Sequence, residues 1–408
     1  MNLLTVDTID DARKKLLEQV QSWSVKTETI PLDESPGRIL AGDIVSPEDI
    51  PNFRRSTVDG YAVVAANTAG AGEAIPVFLK FIGEVEMGTT AGFSLRSGEC
   101  AYVPTGGMIP DGADAMVMVE YSEPFDNEIA IYENAAVGSN VVRIGEDAQM
   151  GSLLLRRGTR MRSQETGALA AAGITHVPVY APLRLALIST GDELVPPSAQ
   201  PRPGEIRDIN TLALAALAME SGYRITGAQT LRDDGQLLES AVREAMPEND
   251  VVILSGGSSQ GAKDMTELVL SRIARPGVFT HGLAIKPGKP TILGYDTASD
   301  TILAGLPGHP VSALVVFRVL FTWLVRELTG GKEPFPIPAK ISCNLAGSPG
   351  RTTYQPVALR LTNGEYIADP VFGKSGMIST LTEADGYFVI DMNREGVREG
   401  EAVRVHLF

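Results

Sequence analysis

Cysteine and histidine are the scarcest chemistry-bearing residues of this chain. Its two cysteines, Cys100 and Cys343, lie far apart, which argues against a disulfide framework and for a reducing cytoplasm. The four histidines, His176, His281, His309 and His406, have no ligand spacing with one another or with the cysteines. That speaks against zinc or a redox metal. A long apolar run is also missing. The longest apolar helical stretch, residues 310–325, is interrupted by Arg318 and falls short of the roughly 20 residues that a membrane span needs. Met1-Asn2-Leu3-Leu4 lacks the basic start and apolar core of a signal peptide, so the expected location is the cytoplasm, with no membrane partner. Positive charge is in deficit: 35 Lys and Arg stand against 50 Asp and Glu, a formal charge of −15. This disfavours nucleic-acid binding, which wants a basic face. Any anionic ligand must be held by local lysines and amides against the overall field.

What is present is ordinary globular material, 44% hydrophobic and 21% charged, over 408 residues. That length suits two to four domains. Near the start, Ala12, Leu16, Leu17, Val20 and Trp23 recur at helical spacing, and strand-like segments follow at 25–31 and 38–44. From 47 to 142 short strands are punctuated by glycine, at 75–81, 99–103, 115–119 and 128–132, a compact β-rich unit. Residues 163–173 read as a helix with a serine cap and a terminal glycine. After Pro182 strands and helices alternate, the pattern of a parallel sheet with helices on both faces. Beyond Gly330-Gly331 no long helix appears, and the tail reads as a small barrel.

The most informative stretch is 251–264, VVILSGGSSQGAKD. An apolar strand runs into Ser255-Gly256-Gly257, then Gly261, then a helix expected to begin near Lys263. Free N–H groups and the positive end of a helix dipole make such a turn a phosphate or oxyanion cradle. A tight strand–helix connection without a ligand is the alternative. Downstream, Lys286-Pro287-Gly288-Lys289-Pro290 holds two cations on a stiff loop, suited to an anion. Gly305-Leu306-Pro307-Gly308-His309-Pro310 follows the strand 301–304 and leads into a helix at 311–328, with Pro310 fit for its first turn. Three such junctions suggest one ligand site at the carboxyl ends of a parallel sheet. A second group is acidic: Glu193 in Thr190-Gly191-Asp192-Glu193, Asp208 before a helix, Asp233 beside Asp234, and Asp264. Each alone could be a helix cap or a solvated loop charge. Together at one sheet edge, and beside phosphate, they call for a cation, and oxygen ligands favour Mg²⁺.

Here the residues carry a resemblance. The glycine loop with Asp264, LysProGlyLysPro, LeuProGly-x-ProValSer, ThrGlyAspGluLeu and GlyGluIleArgAsp together resemble the molybdopterin molybdenumtransferases, the MoeA and gephyrin E-domain family. Ser56-Thr57-Val58-Asp59-Gly60, Pro104-Thr105-Gly106-Gly107, Gly350-Arg351-Thr352-Thr353-Tyr354 and Ser375-Gly376-Met377 extend the likeness over nearly the whole chain. His309 stands where the family usually shows asparagine, and is expected to replace one loop-closing hydrogen bond by another.

The resemblance implies four parts: a discontinuous N-terminal domain at 1–46 and 143–180, an inserted β-rich domain at 47–142, a doubly wound α/β domain at 181–331 resembling molybdopterin adenylyltransferases, and a C-terminal β-barrel at 332–408. It implies insertion of molybdate into adenylated molybdopterin with release of AMP. Glu193, Asp208, Asp233 and Asp264 would hold Mg²⁺, and Lys286 and Lys289 would bind phosphate or molybdate charge. Ser255, Gly256, Gly257 and Gly261, with Pro307, Gly308 and Pro310, would cradle the pterin. Asp59 and Thr105 would come from the partner subunit of a homodimer with a shared site. Protein partners on this reading are a molybdopterin adenylyltransferase and molybdoenzyme targets. A tungstate-inserting paralogue, a scaffold that retains the fold, and a related adenylyltransferase or pyrophosphatase are the alternatives.

Overall fold

The computed structural model describes residues 6–256 and 260–408, without the side chains of 257–264, and its chain divides into two compact units. One is Thr29–Val179; the other joins Met1–Glu28 to Tyr180–Phe408.

In the first unit, six strands lie in the order Ala115–Met118, Gly60–Val63, Glu99–Val103, Val77–Glu84, Glu128–Ile131, Ser122–Phe125. Period-2 alternation sends Val63, Cys100, Val117 and Ile129 into one core, and Ala62, Ala101 and Met116 into a second core on the opposite face. The strand expected from residue 75 begins at Val77 because Pro76 has no N–H for the ladder. The helix expected at 163–173 is Ser163–Ala171, and its start differs from the expectation. Ser163 is not the cap: the Glu165 carboxylate accepts from the Arg162 backbone N–H at 3.0 Å. A carboxylate in the first turn also suits the helix dipole.

In the second unit, six strands form one sheet: β1 Leu183–Thr190, β2 Tyr223–Leu231, β3 Val251–Gly256, β4 Pro276–Thr280, β5 Ile292–Asp296 and β6 Thr301–Leu306. Their order is β2-β1-β3-β6-β5-β4. β1, β3 and β6 are apolar and buried along nearly their whole length, as strands covered on both faces must be. Four helices cover the faces: α1 Asn210–Glu220, α2 Gly235–Ala245, α3 Gln260–Ile273 and α4 Pro310–Phe317. Leu238 and Val242 of α2 and Val269 and Leu270 of α3 pack with Ala186, Ile188, Val252 and Leu254, one parity of the strands. The other parity faces α1 and α4. The helix expected near Lys263 starts at Gln260. The long helix after Pro310 is continuous, but Arg318–Thr322 forms a π turn between α4 and Trp323–Thr329.

The sheet is mixed where a parallel one was expected. β1, β2, β3 and β6 are parallel, whereas β5 runs against β6 and β4 against β5. The connection between β5 and β6 is a short turn, and a turn of that length can only return an antiparallel strand. This reversal has a consequence for the site. Ile292, the start of β5, pairs with Gly305 near the end of β6, so the lysine loop before β5 opens at the carboxyl edge of the parallel strands.

Five strands after residue 336 close into a barrel: Ile337–Ile341, Thr352–Thr362, Glu365–Pro370, Gly386–Ile390 and Ala402–Leu407. Ile341, Val357, Phe388 and Val405 fill it. Ile285–Lys286 adds to it as a short outer strand, pairing in parallel with Thr352 and Thr353. The lysine loop therefore joins the sheet to the barrel.

Candidate active site

The register sets the ends of the parallel strands side by side. Thr190 of β1 lies opposite Leu231 of β2 and Gly256 of β3, and Ser255 lies opposite Leu306 of β6. At Gly256 a Cβ would sit 2.2 Å from the Thr190 carbonyl oxygen, so only glycine allows this approach. One side chain ties the edge together. Asn210, at the start of α1, donates through Nδ2 to Ser255 Oγ at 2.8 Å and to the Gly308 carbonyl at 2.9 Å. The ends of β3 and β6 are thereby fixed to one helix start. The Ser255 hydroxyl is engaged by Asn210 in the floor of the site. Gly257 lies outside the described residues, and of Gly261 and Asp264 only the helical backbone is described.

Above this edge, residues of the α/β sheet and of the barrel enclose a cavity of about 910 Å³. Gly256, Pro307 and Gly308 line its sheet side, and Tyr354 and Phe372 line its barrel side. Its charged lining is entirely cationic: Lys286, Lys289, Arg351 and Lys374. Among the described residues no aspartate or glutamate lines it, in a chain of formal charge −15. Thr353, beside Lys286 in the register, also lines the cavity, and its hydroxyl is buried without a hydrogen-bond partner among the described residues. A buried unpaired hydroxyl is costly, and one next to cations is a donor available to an anion.

The lysine loop takes its shape from Gly288. Its φ is +114°, and a Cβ there would lie 2.5 Å from Val316 Cγ2 of α4 and 2.9 Å from Ile285 Cδ1. The loop is closed from within by Thr291, whose hydroxyl donates to the Gly288 carbonyl at 2.7 Å. Both lysines face solvent. The Leu-Pro-Gly loop is fixed from the barrel: His309 Nδ1 and Ser375 Oγ are 2.7 Å apart, and the Val311 N–H donates to the Ser375 carbonyl at 3.1 Å. Pro310 is buried at the first position of α4.

The acidic residues fall into distinct roles. Asp208 is buried, and both of its oxygens are taken: Oδ1 accepts from the Thr211 N–H at 3.1 Å, and Oδ2 from the Thr211 and Thr230 hydroxyls, each at 2.6 Å. It braces the start of α1 against β2. Asp233, half-buried after β2, accepts from the Thr190 hydroxyl at 2.6 Å. Glu193 is exposed and folds back over Gly191. Among the described residues no three His, Cys, Asp or Glu side chains gather as a metal cage.

In the other unit the structure brings Asp59 and Thr105 together. Asp59 Oδ1 accepts from the Thr105 N–H at 2.8 Å, and both residues are exposed. Behind them, Gly106 and Gly107 exchange backbone hydrogen bonds with Ser56, locking the two segments into one corner.

Asn210, Arg351 and Lys374 were not singled out from sequence. A signal existed for Arg351 and Lys374, since each sits beside glycine in a turn-rich segment as the lysine loop does. Nothing local says that these turns meet a loop more than sixty residues upstream.

Fold and cavity define the class: a multidomain α/β protein with a cation-lined cavity between its sheet and a closed five-stranded barrel. Comparison with known proteins then gives the family. A model described as MoeA N-terminal region (domain I and II) matches residues 7–173, one described as probable molybdopterin binding domain matches 186–327, and one described as MoeA C-terminal region (domain IV) matches 338–408. The molybdopterin molybdenumtransferase of Haemophilus influenzae is 32% identical over 407 residues, 98% of each chain. That of Bacillus subtilis is 31% identical, over 94% of this chain and 90% of its own. A crystal structure of the molybdopterin biosynthesis MoeA protein from Pyrococcus horikoshii matches with a TM-score of 0.85 at 31% identity, covering 99% of this chain and 100% of that one. The chain belongs to the MoeA family of molybdopterin molybdenumtransferases, transferases of molybdenum cofactor biosynthesis.

Proposed function

We propose that this protein inserts molybdate into adenylated molybdopterin and releases AMP, using the cavity between sheet and barrel. The observation that carries this reading is the lining of four cations, with no carboxylate among the described residues, in an acidic chain. Molybdate is a dianion and the adenylated pterin contains a pyrophosphate, so both need the compensation that this lining offers. Lys286 and Lys289, with Arg351 and Lys374 opposite, neutralise the oxyanion and the pyrophosphate. The backbone at Gly256, Pro307 and Gly308 receives the pterin phosphate at the strand ends. Ser255 and Pro310 hold that backbone in place, and Gly257 and Gly261 belong to the same cradle.

A second element of the proposal is magnesium. Mg²⁺ is commonly held by one or two carboxylates, with water and substrate phosphates completing the octahedron. Among the described residues no three such side chains gather, so the seat we propose is of that kind, completed by substrate and water. Glu193 and Asp233 would hold the ion, with Asp264 as a further ligand, while Asp208 braces the start of α1 against β2 through Thr211 and Thr230. Bound there, magnesium supplies positive charge at the pyrophosphate. The chain's own part is electrostatic. A water oxygen bonds to the adenylate phosphorus as the bond to the bridging oxygen breaks. The water's proton passes to solvent, and the pterin phosphate leaves with the electron pair. The lysines stabilise the charge that develops on the leaving oxygen.

Supplying purified protein with adenylated molybdopterin, with and without molybdate and magnesium, tests this directly. Release of AMP together with active cofactor is the expected result. Binding without turnover, or adenylation of molybdopterin from ATP, would overturn it. We also propose a cytoplasmic homodimer in which Asp59 and Thr105 serve the partner's cavity. Co-expressed Asp59→Asn and Asp264→Asn chains should then recover about a quarter of native activity, since random pairing makes half the dimers mixed and each keeps one intact site. Mixed dimers as inactive as either parent would place every site within one chain.

A further inference from the structure

The segment before the first helix meets the lysine loop at its base. Asp7 pairs by backbone with the stretch leading into the loop: its N–H donates to the Gly282 carbonyl at 2.9 Å, and its carbonyl accepts from the Ala284 N–H at 2.7 Å. Its carboxylate, largely buried, accepts from the Thr280 hydroxyl at 2.8 Å and from Lys15 Nζ at 2.7 and 2.8 Å. Lys15 donates also to the Phe279 carbonyl at 3.2 Å. Both residues thus hold the end of β4, from which the chain runs through Leu283 to Lys286.

The same helix, Ile9–Gln19, also grips the continuation of α4. Arg13 donates from Nε and Nη2 to the Val319 carbonyl at 3.0 and 2.8 Å, and its guanidinium lies 4.8 Å from the Trp323 ring. Val319 lies in the π turn, where the i→i−4 ladder is interrupted and carbonyls lose their usual partners. That turn continues α4, against which Gly288 packs through Val316. One short segment therefore contacts both the base of the lysine loop and the helix that supports its tip.

We propose that Asp7, Lys15 and Arg13 are positioning residues that clasp the lysine loop at the height where Lys286 and Lys289 line the cavity. None of the three lines the cavity, so they act through the loop and the helix behind it. Two cations on a loop bind an anion tightly only if the loop is held in place before binding, because otherwise ordering it subtracts from affinity. The charge-assisted contacts of Asp7 are the part of the clasp nearest the loop.

The proposal rests on the reading of the cavity as an anion site, and the test separates the two. The full chain and its Asp7→Ala, Asp7→Asn and Lys15→Met variants are titrated calorimetrically with AMP, and backbone amide exchange is followed over residues 281–291. The expected result is AMP binding about tenfold weaker in Asp7→Ala and Lys15→Met, with faster exchange confined to that segment. Asp7→Asn, which keeps an acceptor for Thr280 but no charge for Lys15, should fall between. Native protein that does not bind AMP would count against the anion-site reading itself. Native protein that binds, beside variants that bind equally well with unchanged exchange, would overturn the clasp. Exchange raised throughout the unit would overturn it too, because that marks a loss of general stability. If Asp7→Ala does not fold, Lys15→Met, which leaves the backbone pairing untouched, decides.

Discussion

Replacing Asn210 by alanine removes a side chain that, alone among the described residues, joins the ends of β3 and β6 to the start of α1. The cost can be worked from its two contacts. Each neutral hydrogen bond contributes about 1 kcal/mol net, and a buried group left without a partner adds about 1–3 kcal/mol. Gly308 borders the cavity, where water can replace the lost donor, so its share stays near the lower figure. Ser255 is 3% exposed and has no such recourse. The sum is about 3–5 kcal/mol. The unit that unfolds holds roughly 260 residues, with an unfolding entropy of about 2 cal/mol/K per residue, so the melting midpoint should fall by about 6–10 °C. Asn210→Asp should fall further, because it keeps the size but turns an acceptor toward the Gly308 carbonyl. Differential scanning calorimetry reads both values, and AMP titration of the same samples should show weaker binding as the Gly308 loop relaxes. An alanine variant that melts within 1 °C of the native protein, about 0.5 kcal/mol, and binds AMP as tightly would refute the reasoning.

The cavity lysines and the glycine between them give two more expectations. Lys286→Ala and Lys289→Ala should each weaken binding of molybdate and AMP, with arginine restoring only part, since a planar fork does not replace a compact ammonium. Alanine variants that titrate both anions like the native protein would reduce the loop to a structural turn. Gly288→Ala forces a Cβ against Val316 at a φ of +114°, and by overpacking and backbone strain together should cost about 2–4 kcal/mol. Calorimetry checks it, and a native-like midpoint would mean that the loop can shift without penalty.

Much of the α/β unit was legible because burial on both faces leaves a plain signature. A strand covered by helices must be apolar throughout, and 185–189, 251–255 and 301–304 are just such runs, bounded by glycine or by acidic turns. Pro310 could be placed at a helix start because its missing N–H is harmless only there. The reversal of β4 and β5 was not legible. Residue type records burial, and an antiparallel strand buried in the same sheet looks the same as a parallel one. Only the short connection between β5 and β6 distinguishes them, through a limit on chain reach.

The site was legible in its charges but not in their partners. Lys286 and Lys289 could be picked out because two cations on a proline-stiffened loop serve little structural purpose. Asp208 shows the limit of that logic. A carboxylate two residues before a helix is equally a ligand and a brace, and the choice depends on whether hydroxyls arrive to satisfy it. Here Thr211 is local but Thr230 comes from the neighbouring strand, 22 residues on, and no spacing rule announces it. Asn210 is the same case in reverse. Its amide looks like one more helix-start residue, yet its partners lie 45 and 98 residues away. Carboxylates whose oxygens are taken cannot also serve a metal at full strength. On the reading proposed above, a magnesium ion would therefore draw on the less committed Glu193 and Asp233, with phosphate oxygens of the substrate making up the set. A metal seat completed by the substrate has a functional consequence. Affinity for magnesium and for adenylated pterin should rise together, each binding more tightly when the other is present.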